Sequence, residues 1–172
     1  MEDLILKLQE EVKKELYGEP TGHDYYHSIR VMKTAELIAK YELEKGRNVD
    51  LFIIKTAALL HDVRDWKWHE EEEARKYIQN LLKKYSVSQE KINEIVDIVQ
   101  SISFKGLSST KGLKKLEAKI VRDADWIDAL GAIGIARCFA TSGKLGQVIY
   151  DSNISPKPEM DERIQKTTDY SY

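Results

Sequence analysis

Apolar residues recur at helical spacing through most of this 172-residue chain. The first example is the set Ile5, Leu8, Val12 and Leu16, which repeats every three or four residues and therefore shares one helix face. No stretch shows the alternation of apolar and polar residues that is typical of a strand. The pattern predicts an all-α fold, and the length favours one domain with a substantial core.

Glycine and proline separate the predicted helices. Gly18 and Pro20 end the first helix, and Gly46 ends the second. Ser88 is a suitable N-cap for the fifth. After the first helix, the predicted helices cover about residues 25–41, 50–62, 69–85, 89–102 and 116–139. The last of these is rich in alanine and glycine, which allow neighbouring helices to pack closely.

The composition excludes several classes of protein. The net charge is −2 with both signs interspersed, which gives no overall attraction for nucleic acid or a membrane surface. Cys138 is the single cysteine, so no disulfide can form within the chain. The sequence lacks a bilayer-spanning apolar segment and a signal peptide at its N-terminus. We expect a cytoplasmic protein without membrane or specific nucleic-acid partners.

Histidines occur on the apolar faces of two predicted helices. His27 lies on the inner face of the second, and His61 shares the face of Ile54 and Ala58 in the third, with Asp62 next to it. Burying such polar groups without a partner costs free energy. A divalent metal ion that activates water for hydrolysis is a partner that imidazoles and carboxylates can share.

A third carboxylate-bearing stretch lies in the last predicted helix. Asp123, Asp125 and Asp128 occur there among apolar residues, where a solvated face is difficult to build. Asp123 aligns with one set of apolar neighbours and Asp125 with another, so the periodicity does not choose between them. One of these carboxylates is expected to complete the metal site with His27.

Three segments, GHDYYHSIRV, AALLHDVRDWKW and KIVRDADWIDALGAIGIARCFA, resemble the HD-domain metal-dependent phosphohydrolase superfamily. The chain is similar to its small stand-alone bacterial and archaeal hydrolases over roughly residues 17–146. The resemblance implies an all-α HD-domain helical bundle with a central mononuclear metal site. It assigns the metal ligands to His27, His61, Asp62 and Asp125. This chain departs from similar proteins at Arg64, a position where glycine is common.

The expected domain occupies residues 1–150. Residues 151–172 contain two prolines and little apolar periodicity, which predicts an irregular C-terminal tail. Similar proteins continue with a further packed helical segment, so this tail is shorter than theirs. The apolar surface of the last helix would then need cover, which makes a homodimer a candidate assembly.

The predicted ligand set suits one divalent ion, with Mn, Fe, Co and Ni favoured and Mg as a further option. Asp65, three residues past Asp62, is the candidate general base. Related nucleotide-hydrolysing HD domains carry an acidic residue at this position, so the resemblance supports the role.

Positive groups near these segments are candidates for binding phosphate: Arg30, Lys67, Lys105 and Arg137. An alternative for Arg30 is an ion pair with Asp123 or Asp128. His23 and Asp24 precede His27 and are expected either to orient it or to begin the helix, with Asp24 as the N-cap.

These features predict hydrolysis of phosphate ester or phosphoanhydride bonds in a small phosphorylated substrate, with a nucleotide favoured. The alternative is a non-catalytic, metal-binding HD domain used for ligand sensing or protein interaction. A di-iron oxygenase is disfavoured, because His69 is the single histidine between Asp62 and Asp125.

Overall fold

The computed structural model describes residues 2–64, 71–102 and 113–153. Within these ranges every regular element is an α-helix, which confirms the predicted all-α fold class. The helices are α1 (Glu2–Leu16), α2 (Tyr25–Glu44), α3 (Leu51–Leu60), α4 (Glu71–Lys84), α5 (Gln89–Ile102), α6 (Leu116–Asp128) and α7 (Gly131–Lys144). Among these helices, none combines the length and apolar character needed to cross a membrane.

Helix α3 is the centre of the core. All of its residues from Phe52 to Leu60 are buried, because α1, α2, α5 and α6 pack around it. Asp50 caps its N-terminus by accepting hydrogen bonds from the amides of Phe52 and Ile53 at 2.9 and 3.1 Å. A helix that is apolar on every side must lie inside the protein. The residue that follows it, His61, is therefore delivered to the interior.

The surrounding helices are amphipathic and bury one face each. In α1 the buried residues are Ile5, Leu8, Val12 and Leu16, the stripe that the sequence predicts. Each such side chain stabilises the fold by about 1.5–3 kcal/mol relative to an exposed one. Helices α2 and α6 pack against each other and against α3, which brings the chemistry-bearing residues of all three together.

The single helix predicted over residues 116–139 is wrong, because the chain turns between Asp128 and Gly131. Gly131 has a φ of +66°, a left-handed conformation that glycine adopts at little cost. Gly134 is also required, since a Cβ there would lie 1.9 Å from the carbonyl oxygen of Ala129. The small residues that suggested close helix packing thus form a turn, and α7 leaves in a new direction.

Helix α7 packs weakly against the rest of the described molecule. Ser142 is its single buried residue, whereas Ile135 is 62% exposed and Phe139 47% exposed. Polar contacts attach it to the segment before α2. The Thr141 hydroxyl donates to the carbonyl of Thr21 at 3.1 Å, and Lys144 pairs with Glu19 at 3.2 Å.

Candidate metal centre

Two histidines and two aspartates meet where α2, α3 and α6 converge. His27 Nε2 lies 3.1 Å from both His61 Nε2 and Asp62 Oδ2. His61 Nε2 lies 3.3 Å from Asp62 Oδ2. Asp125 Oδ1 lies 3.4 Å from His27 Nε2 and 3.6 Å from His61 Nε2. The structure therefore brings together the four residues that the resemblance assigns as ligands.

His27 is held in place by the start of α2. The Asp24 side chain accepts a hydrogen bond from the His27 amide at 2.8 Å, so Asp24 is the N-cap. This cap sets the first turn of the helix and directs the imidazole into the core, where His27 is fully buried. The capping alternative for Asp24 is thus observed.

Each imidazole has a hydrogen-bond acceptor for its Nδ1. His61 Nδ1 lies 2.8 Å from the carbonyl oxygen of Ala58, which can only accept, so Nδ1 carries the proton. His27 Nδ1 donates to Asp128 Oδ2 at 2.7 Å. In the neutral form both Nε2 atoms therefore present lone pairs to the carboxylates of Asp62 and Asp125.

The charges around His27 strongly favour a cation. Burial opposes a charged imidazole, but the carboxylates of Asp125, Asp128 and Asp62 outweigh burial and raise the pKa of His27 to about 10. Burial also opposes a charged Asp125 and by itself would raise the pKa of its carboxyl. His27 and His61 have the larger, opposite effect, so this pKa lies below its ordinary value. A positive charge placed among these groups is therefore stabilised.

The donor set fits a divalent transition metal. Ions with ligand bonds of about 2.0–2.2 Å separate adjacent ligand atoms by about 3.0–3.6 Å. The Nε2 atoms of His27 and His61 lie at such distances from each other and from the carboxylate oxygens of Asp62 and Asp125. Asp62 Oδ2 is buried and accepts no hydrogen bond of acceptable geometry from the described residues. A metal ion would satisfy this oxygen and both imidazole lone pairs together.

Asp128, one of the three carboxylates that the sequence singled out in this stretch, also belongs to this region, although it is not among the four assigned ligands. Its carboxylate accepts hydrogen bonds from His27 and from Arg30, whose Nε lies 2.6 Å from Oδ1. The pairing of Arg30 with Asp128 is one of the two alternatives that the sequence left open. Asp123 instead lies on the outside of α6 and accepts from Arg122 at 2.7 Å.

The structure describes two of the four side chains predicted to bind phosphate. Arg30 and Arg137 both contact Asp128, and Arg137 Nη2 lies 3.5 Å from His27 Nε2. Lys67 and Lys105 lie outside the described residues, as does the candidate general base Asp65.

His23 lies beside the centre and is oriented by a hydrogen-bond chain. Glu19 Oε2 accepts from the Thr21 hydroxyl at 2.6 Å and from the Thr21 amide at 2.8 Å. The Thr21 oxygen can then accept from His23 Nδ1 at 2.9 Å. The His23 ring packs edge-on against His27 with 5.8 Å between centroids. This places His23 next to a ligand, consistent with the orienting alternative.

Arg64 adopts the left-handed conformation, with a φ of +56°, at the position where similar proteins commonly have glycine. Its guanidinium lies over the Tyr77 ring at 4.2 Å and pairs with Glu73 at 2.9 Å. These contacts offset the backbone strain of a non-glycine residue there.

Comparison with known proteins identifies the family of this chain. The model of the HD domain family matches residues 24–130. The YpgQ protein of Bacillus subtilis (strain 168) is 35% identical over 141 residues, which covers 81% of this chain and 66% of that protein. This chain therefore spans about two thirds of the length of YpgQ.

Solved structures give the same result. B. subtilis YpgQ in complex with ADP is 32% identical, with a TM-score of 0.68, and the match covers 88% of this chain and 74% of that one. A Lactobacillus plantarum protein is 32% identical, with a TM-score of 0.79 and coverages of 96% and 75%. A predicted HD superfamily hydrolase from an uncultured Thermotogales bacterium is 30% identical, with a TM-score of 0.59 and coverages of 83% and 76%. Family match, sequence identity and fold all agree, and the chain belongs to the HD domain family.

Proposed function

We propose that this protein hydrolyses phosphate ester or phosphoanhydride bonds in a small phosphorylated substrate with the help of one divalent metal ion. The observation that carries the proposal is the largely buried cluster of His27, His61, Asp62 and Asp125, in which the two imidazole Nε2 atoms lie 3.1–3.6 Å from each other and from a carboxylate oxygen of each aspartate. A structural core has no need for such a cluster, because apolar residues of similar volume fill the space without a desolvation cost.

A nucleotide is the proposed substrate class. The support comes from YpgQ, a relative whose structure was solved in complex with ADP. The diphosphate of such a molecule offers oxygens to a metal ion, and cationic side chains neutralise the remaining charge. Arg137 and Arg30 are the described candidates for this role, because both contact Asp128 beside the ligand cluster.

Each side chain of the site has its own proposed role. His27, His61, Asp62 and Asp125 would hold the ion, which when bound polarises a phosphoryl oxygen and acidifies water. Asp65 remains the predicted general base that accepts a proton from the attacking water. Lys67 and Lys105 remain predicted phosphate contacts.

The first test is an activity screen with and without added metal. Purified protein is assayed against nucleotides and phosphomonoesters with Mn²⁺, Co²⁺, Ni²⁺ and Mg²⁺, alongside the variants Asp62→Ala, Asp65→Asn and Asp123→Asn. We expect Asp62→Ala to abolish both Mn²⁺ binding and turnover. Asp65→Asn should retain the metal and lose about 10²-fold in turnover, as expected for loss of a general base. Asp123→Asn is the matched control, because Asp123 lies on the same helix as Asp125 but outside the cluster, and it should behave like the parent.

A different outcome would support another function. A parent protein that binds Mn²⁺ tightly yet hydrolyses nothing in a broad panel would reject the hydrolase and favour a ligand-sensing HD domain. Equal turnover in Asp65→Asn and the parent would reject the role of Asp65 alone.

A further inference from the structure

One carboxylate connects the metal ligands to the arginines. Asp128 Oδ2 accepts from His27 Nδ1 at 2.7 Å, from Arg30 Nη2 at 2.9 Å and from Arg137 Nη1 at 3.1 Å. Its other oxygen accepts from Arg30 Nε at 2.6 Å. The Asp128 side chain is only 9% exposed and that of Arg137 13%, whereas the Arg30 side chain is 39% exposed.

We propose that Asp128 is a positioning residue that couples the metal ligand His27 to a phosphate-binding arginine, Arg137. This inference rests on the proposed function and names how the same site arranges its parts. The first half of the coupling is the bond to His27 Nδ1. It keeps the proton on Nδ1 and the lone pair on Nε2, which is the tautomer that can ligate a metal.

The second half of the coupling concerns the two arginines. Arg30 directs both Nε and Nη2 to Asp128, which fixes the orientation of the carboxylate. Arg137 gives Nη1 to Asp128, while its Nη2 lies 3.5 Å from His27 Nε2. Arg137 therefore presents one edge to the ligand atoms, where a phosphoryl oxygen held by the ion would lie within reach of it.

Asp128 also makes this arrangement electrostatically possible. A guanidinium this close to a divalent ion would be repelled without an intervening negative charge. Asp128 supplies that charge, and both the ion and the guanidinium then attract the same phosphate.

The stem of Arg137 is restrained from the opposite side. Gly22 has a φ of +82°, and a Cβ at that position would lie 2.5 Å from Arg137 Cγ. The absence of a side chain at Gly22 thus leaves the space that the stem of Arg137 occupies. Arg137 therefore packs against Gly22 through its stem and bonds to Asp128 through its guanidinium.

Measuring Mn²⁺ affinity in the absence of substrate tests whether Asp128 positions His27. Mn²⁺ is titrated calorimetrically into the parent, Asp128→Asn and the matched control Asp123→Asn, with folding checked by circular dichroism. We expect Asp128→Asn to weaken Mn²⁺ binding by about 10–100-fold, the usual effect of removing a carboxylate behind a ligating histidine. Asp123→Asn should stay within about twofold of the parent. Equal affinities in the two variants would overturn the positioning role.

Measuring ADP affinity of the Mn²⁺-loaded proteins tests whether Asp128 positions Arg137 for phosphate binding. Arg137→Gln should weaken ADP binding by about tenfold or more while leaving Mn²⁺ affinity within about threefold, because it removes a phosphate contact and no ligand. Asp128→Asn should weaken both. Unchanged ADP affinity in Arg137→Gln would overturn the coupling, and this variant decides the question if Asp128→Asn fails to fold.

The two proposals fail in different ways. If the parent hydrolyses its substrate but Asp128→Asn has normal Mn²⁺ and ADP binding, only the positioning role falls. If the parent binds Mn²⁺ and hydrolyses nothing, the hydrolase falls while the variant comparison still decides the role of Asp128. A parent that binds none of Mn²⁺, Co²⁺, Ni²⁺ and Mg²⁺ overturns both.

Discussion

At the scale of single residues, His27 shows how one side chain serves both fold and site. Its amide is bonded to the N-cap Asp24, its Nδ1 to Asp128, and its Nε2 faces the other candidate ligands. Without a metal, the favourable place for a positive charge is a second proton on this imidazole. Metal and proton therefore compete for the same nitrogen.

Metal affinity should consequently rise with pH. Because the pKa of His27 is raised to about 10 in the metal-free protein, the imidazole is protonated at neutral pH and must lose a proton to bind metal. Mn²⁺ affinity should increase by about tenfold per pH unit between about pH 7 and 9, with about one proton released per ion. Calorimetry in buffers of different ionisation enthalpy measures this release. Binding without proton release at neutral pH would show that His27 is neutral in the free protein.

Two glycines provide a controlled test of the restraint on Arg137. Gly22 and Gly18 have nearly equal φ values of +82° and +79°, so alanine strains the backbone similarly at both, by about 1–2 kcal/mol. Only at Gly22 does the new Cβ meet another residue, Arg137. We expect Gly22→Ala to weaken ADP binding by about tenfold and Gly18→Ala to leave it unchanged. Urea unfolding measures the shared strain, and equal ADP affinities would show that Arg137 moves aside freely.

At the scale of elements, α3 and α7 differ strongly in how much of each helix is buried. Helix α3 is buried along nearly its whole length, whereas α7 buries only Ser142 among its residues. The stability of a helix in a protein comes chiefly from packing of its apolar face. Helix α7 nevertheless carries Arg137, so part of the candidate site lies on the least anchored of the described helices.

Hydrogen exchange should show this contrast. At a protein concentration low enough to keep the chain monomeric, amides of α3 should exchange only through global unfolding, whereas those of α7 should open locally and exchange at least about 100-fold faster. Exchange measured by mass spectrometry on peptides of the two helices, with α5 as a second buried reference, is the test. Equal protection of α7 and α3 in the monomer would mean that a further chain segment covers α7.

At the scale of the whole molecule, the described surface has a charged part and an apolar part. Many charged side chains lie on it and form salt bridges, such as Lys84 to Glu11 at 2.8 Å. The region of α7 and its flanks is apolar instead, and several large side chains there are about half exposed or more. They are Ile127, Leu130, Ile133, Ile135, Phe139, Val148, Ile149 and Tyr150. Surfaces of this kind mark contact sites in other proteins.

The apolar α7 region predicts self-association, in line with the homodimer that the sequence suggests. We expect the parent to form dimers in sedimentation velocity, with Ile135→Lys weakening them by about tenfold or more through a buried charge. Leu6→Lys on α1 is the matched control, since Leu6 is 59% exposed and Ile135 62%. A parent that stays monomeric at every concentration would refute the prediction.

The sequence by itself determined helices α1 to α5, their inward faces and the inward position of two site residues. Periodicity follows from local backbone geometry, so the buried stripe of α1 and the inward direction of His27 and His61 could be predicted from spacing alone. Asp24 as an N-cap is equally local. The family resemblance, rather than spacing, assigned Asp125 to the cluster.

Only the tertiary structure decided what depends on how helices pack. The turn between α6 and α7 rests on a left-handed Gly131, which in sequence looks like any other small residue. The bond between His27 and Asp128 joins residues 101 positions apart, and no local pattern records it. Periodicity places side chains on the face of one helix, whereas distances between helices depend on the packing of the whole core. The assembly of Asp128, Arg30 and Arg137 beside the candidate ligands therefore emerges only from the fold.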